Sequence, residues 1–126
     1  MKAADKILII DDEKDICFLL AGMLKNLGYK PFYVHSLMEG ASFLATAEEQ
    51  PFLLFLDVNL PDGSGLERIP AIKSLYPMMK IILISAYSDL STLAEKQFGA
   101  DLFLSKPFRL EDLKKALQKI KDNTIA

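Results

Sequence analysis

Polar side chains stand where the apolar runs of this chain stop. Asp11 and Asp12 follow "KILII", Asp57 closes "FLLFLD", Ser85 closes "KIILIS" and Lys106 follows "DLFLS". If the runs lie side by side, one crevice gathers three carboxylates, a hydroxyl and an ammonium. Two carboxylates ~5 Å apart repel by about 3 kcal/mol at an effective dielectric of ~20, so a proton or a cation must relieve the cluster. With one histidine and one cysteine in the chain, a soft transition metal finds few ligands. All-oxygen ligation favours Mg2+, with Mn2+ as a substitute. Lys106 adds a second positive charge that can hold an anionic oxygen. An acid beside a hard cation, faced by an ammonium and a hydroxyl, is equipped for phosphoryl chemistry.

The elements that must position these groups are legible as five apolar bursts: Lys6–Ile10, Pro31–His35, Phe52–Asp57, Lys80–Ser85 and Asp101–Ser105. Their spacing is that of βα units rather than hairpins. The first, third and fourth are almost continuously apolar, as parallel strands covered on both faces are; the second and fifth carry more polar neighbours and read as edges. Between them lie helical patterns. Ile16, Leu19, Leu20, Met23, Leu24 and Leu27 form a stripe closed by Gly28, a C′ residue. Leu37, Ala41, Phe43, Leu44 and Ala47 suggest a second helix, weakened by Gly40. Ser64 and Glu67 open a third as a capping box, with Pro70 in its first turns and Leu66, Ile69, Ile72 and Leu75 following as its apolar stripe. The fourth, Leu90 to Phe98, is the most polar; the fifth runs from Leu110 to Ile120. Strand and helix five times over predict an α/β parallel sheet with helices on both faces. Sites in such sheets lie at the carboxyl ends of the strands, where the polar residues are.

Bulk properties are consistent with this. At 126 residues the chain reads as one domain over 1–126, its core about 5–121, with "KDNTIA" at the end frayed or a cut linker. A net charge of −2 offers no footprint for nucleic acid. The apolar stretch before Asp11 is too short for a signal or a membrane span, so the expected place is the cytoplasm. Cys17 excludes an internal disulfide and reads as a small core residue.

Taken together, "IIDDE" (Ile9–Glu13), "FLDVNLPDGSGLE" (Phe55–Glu67), "ILISAY" (Ile82–Tyr87) and "GADLFLSKPF" (Gly99–Phe108) resemble the receiver domain of two-component response regulators over nearly the whole chain. The resemblance implies a flavodoxin-like, three-layer (βα)5 fold with a five-stranded parallel sheet in order 2-1-3-4-5. It also implies roles. Asp57 is the phosphoacceptor; Asp12, Asp57 and the Asn59 carbonyl ligate Mg2+, with Asp11 acting through water. Lys106 holds a phosphoryl oxygen before a cis bond to Pro107. Ser85 and Phe103 are the switch pair, Phe103 standing where tyrosine is usual and so working by packing alone. Asn59 and Tyr87 tune dephosphorylation. The implied donors are a sensor histidine kinase or a histidine phosphotransfer protein. The implied output face is the fourth helix, fifth strand and fifth helix, offered to a downstream protein, an output domain or a second copy. On this reading the chain is a regulatory phosphoprotein, not an enzyme.

Plainer readings accompany these. Asp11 and Asp12 suit a first helical turn, Ser85 suits a cap, and Asp62 a turn. His35 reads as a surface residue, and Phe103 and Phe108 as core. Two rival functions differ in class. An aspartate-nucleophile phosphatase of the haloacid-dehalogenase kind needs an acid two positions after Asp57, where Asn59 stands and cannot shuttle a proton. A flavodoxin-like cofactor or nucleotide module needs a phosphate-cradling loop after the first strand, where "DDEKD" is its electrostatic opposite.

Overall fold

The computed structural model describes residues 5–125. Strand β1 (Lys6–Ile10) leads to helix α1 (Lys14–Asn26), β2 (Lys30–Val34) to α2 (Leu37–Thr46), and β3 (Leu53–Asp57) to a short ladder of β4 (Asn59–Leu60) with β5 (Gly63–Ser64). Helix α3 (Gly65–Leu75), β6 (Lys80–Ser85), β7 (Leu102–Ser105) and α4 (Leu110–Ile125) complete the order. The main sheet is parallel throughout, in order β2-β1-β3-β6-β7. Once the two-residue ladder is counted, this is the flavodoxin-like order expected. The more polar strands, β2 and β7, are the edges.

Residues two apart on a strand share a face, and this parity splits the core in two. Ile7, Ile9, Phe55, Ile82 and Ile84 pack with Cys17, Leu20 and Leu24 of α1 and Leu113, Leu117 and Ile120 of α4. Leu8, Leu54, Leu56, Ile81 and Leu83 pack with Leu44 of α2, Ile69 of α3 and Ala94. Each such side chain contributes about 2 kcal/mol of burial, which is why the central strands tolerate no polar residue before their ends.

Several expectations are corrected. In α1 the buried stripe is Cys17, Leu20, Ala21 and Leu24, whereas Leu19 is half exposed. In α2, Ala41 faces out. Gly40 is the close contact there, since a Cβ on it would lie 2.3 Å from Ile10 Cδ1; the glycine that weakens the helix lets it approach β1. Leu75, expected in the α3 stripe, is exposed. The fourth helix is a 3-10 turn (Ser88–Leu90) followed by a π-helical turn (Leu93–Gln97), closed by Phe98 N–H donating to the Leu93 carbonyl at 3.2 Å. Only Ala94 of that π turn is buried, so little packing imposes regular geometry. At the other end α4 continues through Ile125; within the terminal "KDNTIA", Ala126 lies outside the described residues. No helix among the described residues is long and apolar enough to cross a membrane.

Candidate functional site

Each polar strand end is held by main-chain bonds that extend the sheet. Asp11 N–H donates to the Val34 carbonyl at 3.1 Å, and Lys106 N–H to the Ser85 carbonyl at 2.8 Å. The Lys106–Pro107 peptide is cis, as the resemblance implied. Beyond Asp57 the chain turns back so tightly that Gly65 N–H donates to the Val58 carbonyl at 2.7 Å. A Cβ on Gly65 would lie 1.9 Å from the Asp57 carbonyl oxygen, so only glycine fits the start of α3.

These ends meet. Asp12, Glu13, Asp57, Asn59, Ser85, Ala86, Tyr87 and Lys106 line an open crevice of about 330 Å³, with Asp11 buried beside it. Oxygen atoms of Asp11, Asp12 and Asp57 all lie within 4.8 Å of one another. Asp12 and Asn59 are exposed, while Asp57 and Ser85 are buried. The Lys106 ammonium stands 2.9 Å from Asp11 Oδ2, 2.8 Å from Glu13 Oε1 and 3.5 Å from Asp57 Oδ1. Its contact with Asp11 Oδ2 is an ion pair without hydrogen-bond alignment, so that oxygen is buried with no hydrogen-bond partner. Asp11 Oδ1 accepts from Glu13 N–H at 2.9 Å.

The electrostatics follow. Burial, then the charge of Asp11, pushes the Asp57 carboxyl up to about 7, although Lys106 opposes the rise. Burial also works against the Lys106 charge, but contacts with Glu13 and Asp11 and the charge of Asp57 outweigh it and hold the ammonium above its ordinary range. One ammonium thus serves three acids. A single ammonium shared among three converging acids leaves uncompensated negative charge that an oxygen-liganded cation would offset; the residues present fit Mg2+.

Ser85 Oγ accepts from Tyr87 N–H at 3.0 Å, which closes the bend after β6; the 3-10 turn that follows starts from Tyr87 with no side-chain cap, so Ser85 is not the helix cap it was expected to be. Register pairs Leu83 with Phe103 and Ser85 with Ser105. Ser85 and Phe103 therefore share a face of the sheet, offset by two residues, and Phe103 is partly buried against the second core.

Sequence reasoning missed three features. Glu13 was visible in "DDEK", but nothing local indicated that it would reach Lys106. Asp62 does more than turn the chain: Oδ1 and Oδ2 accept from Leu37 and Met38 N–H, each at 2.9 Å, capping α2 from the β4–β5 turn. Those bonds lower its pKa. His35 is not a plain surface residue. It is partly buried, with Nδ1 3.0 Å from the Asp11 carbonyl oxygen, because it directly follows Val34, the last residue of β2, whose carbonyl accepts from Asp11 N–H.

Residues 7–118 match the family model described as response regulator receiver domain. The chain belongs to that family. Among relatives, this receiver is 29% identical over 116 residues to sporulation initiation phosphotransferase F of Bacillus subtilis, covering 91% of this chain and 92% of that protein. It is 35% identical over 113 residues to the KDP operon transcriptional regulatory protein KdpE of Escherichia coli, covering 89% of this chain. The receiver spans about half the length of KdpE, at 49%. Among solved structures it superposes on response regulator protein TrrA of Thermotoga maritima, in complex with Mg2+ and BeF, with a TM-score of 0.81. The identity there is 31%, over 92% of this chain and 98% of that one. As a receiver domain, the chain is a phosphoacceptor of two-component signalling, and its role is regulatory.

Proposed function

We propose that Asp57 is the residue phosphorylated, by a sensor histidine kinase or a histidine phosphotransfer protein, and that Mg2+ serves the exchange. The supporting observation is the convergence of Asp11, Asp12 and Asp57 within 4.8 Å beside Lys106. Asp12, Asp57 and the Asn59 carbonyl would hold Mg2+ directly and Asp11 through water, with Mn2+ as a substitute. When bound, the ion supplies positive charge to the carboxylates and to the arriving phosphoryl oxygens.

The residues of the chain do the rest. An Asp57 oxygen attacks phosphorus in line as the phosphorus–nitrogen bond of the phosphohistidine breaks; the imidazole leaves and an aspartyl phosphate remains. Lys106 moves from Glu13 to a phosphoryl oxygen, and Glu13, already exposed, turns to solvent. The Ser85 hydroxyl exchanges Tyr87 N–H for the phosphate, and Phe103 fills the space it leaves. Phe103 has no hydroxyl to bond outward, so coupling rests on packing. Asn59 and Tyr87 flank the crevice, where they set access of water to the acyl phosphate.

The output face is then the 88–97 segment, β7 and α4, where Phe103, Ser105, Pro107, Asp112, Lys115 and Lys119 border a groove of about 310 Å³. A downstream protein, an output domain or a second copy would read it. On this reading residues 5–121 are one receiver unit, working in the cytoplasm, and catalysis extends only to its own phosphorylation and dephosphorylation. Treatment with acetyl phosphate and Mg2+ should add one phosphate per chain, seen by intact mass, and Asp57→Asn should abolish it. Undiminished labelling of Asp57→Asn would overturn the assignment.

A further inference from the structure

Two donors converge on the main-chain carbonyl of Asp11. His35 Nδ1 lies 3.0 Å from that oxygen and Cys17 Sγ lies 3.2 Å from it. A carbonyl only accepts, so Nδ1 and Sγ must both carry hydrogen. They lie 3.8 Å apart, as two donors sharing one acceptor would. Burial and the Asp11 charge push the Cys17 thiol up to about 12, which keeps it a donor.

His35 is itself fixed. Its N–H donates to Glu39 Oε1 at 2.9 Å, and Glu39 N–H donates to Ser36 Oγ at 3.1 Å, so the start of α2 holds the histidine backbone. Its ring lies against Tyr33, with centroids 5.7 Å apart. The neighbouring Asp11 N–H is already committed to Val34. Both polar groups of the Asp11 main chain are therefore held, one by the end of β2 and one by His35 with Cys17. Fixing that carbonyl fixes the 11–12 peptide plane, and with it the relative placement of two adjacent carboxylates that must converge on one cation.

We infer that His35 is a positioning residue for the cation site: by donating Nδ1–H to the Asp11 carbonyl it sets the angle between the Asp11 and Asp12 carboxylates. The inference rests on the Mg2+ reading above. It needs only the Nδ1 hydrogen, which the ring carries there whether neutral or protonated. Binding partners that orient ligands in this way are commonly as consequential as the ligands themselves.

The test is calorimetric titration of the full chain with MgCl2. Asparagine places an amide N–H close to where histidine places Nδ1–H, whereas phenylalanine keeps the ring without the donor. His35→Phe should weaken Mg2+ binding by about fivefold or more, the equilibrium equivalent of one ordinary hydrogen bond. His35→Asn should stay within about twofold of wild type on the same scale. His35→Ala, which removes the donor without adding bulk, should follow His35→Phe; melting in EDTA reports folding separately. A phenylalanine variant that binds Mg2+ like wild type, or an asparagine variant as weak as phenylalanine, overturns the inference while Asp57 labelling of wild type stands. A wild-type chain that takes up no Mg2+ overturns the reading beneath it as well.

Discussion

Glu13 and Lys106 stand 93 residues apart in the chain and 2.8 Å apart in the fold. The contact is made at a cost to availability, because the same ammonium faces Asp11 and Asp57. Glu13 is the most exposed of the three partners, with 59% of its side-chain surface open to solvent, so it is the one that can be removed without burying an unpaired charge.

Removing the Glu13 charge should release the lysine. Glu13→Gln should raise the initial rate of labelling by acetyl phosphate, by about two- to fivefold if the pair is worth what exposed pairs usually are. Melting temperature should change little. Time courses of intact mass at fixed Mg2+ would show it, and an unchanged or slower rate would assign Lys106 to another partner.

Asp57 makes the unliganded protein sensitive to pH. Its carboxyl titrates near 7 in the fold against an ordinary 3.8, so between those values the native state holds a proton that the unfolded chain has lost. Stability from this group is greatest below 3.8 and is lost as pH rises through about 7. Urea midpoints measured in EDTA from pH 5 to about 8 should therefore fall, and Asp57→Asn should flatten that slope.

The same proton competes with Mg2+. Binding should strengthen as pH rises toward about 7, with proton release measurable as a dependence of binding enthalpy on buffer. Millimolar Mg2+ should raise the melting temperature, and EDTA should reverse the rise. An affinity independent of pH would mean that Asp57 is not among the ligands.

Gly65 is the tightest steric constraint near the site. A methyl group there meets the Asp57 carbonyl oxygen at 1.9 Å and Leu56 Cγ at 3.1 Å. Gly65→Ala should cost about 2–3 kcal/mol, as overpacking against backbone does, read from urea denaturation. It should also slow labelling, because relief of the clash moves the acceptor.

Ser85→Ala removes the acceptor of Tyr87 N–H and should cost about 1 kcal/mol. Labelling of Asp57 should persist, but the Phe103 ring resonances should no longer respond to beryllofluoride with Mg2+. A full response in that variant would separate Phe103 from Ser85.

The sheet was legible because its strands alternate with helices at a regular interval and because Leu53 to Leu56 can only be buried on both faces. The acidic cluster was legible because Asp11, Asp12, Asp57 and Lys106 all occupy strand ends. Glu13, His35 and Asp62 were not, for one reason: each acts on an element distant in sequence, reaching Lys106, Asp11 and the start of α2 across the fold. Spacing along a chain says where a side chain stands, not which neighbour tertiary packing delivers to it. The fourth helix was misread for the opposite reason, since a weak helical pattern with one buried alanine leaves its hydrogen bonding to local chance.

Asp62 has a mechanical effect beyond capping. It ties the loop that follows the acceptor strand to the start of α2, while the Asp11 N–H does the same between β1 and β2. That flank of the molecule is riveted. The opposite flank, from Tyr87 to Gln97, is joined to the crevice by one hydroxyl bond, and of its side chains only Ala94 is fully buried, with Leu90 partly buried against the second core. Any displacement begun at Asp57 therefore has a rigid wall on one side and a compliant hinge on the other, and it travels toward the hinge.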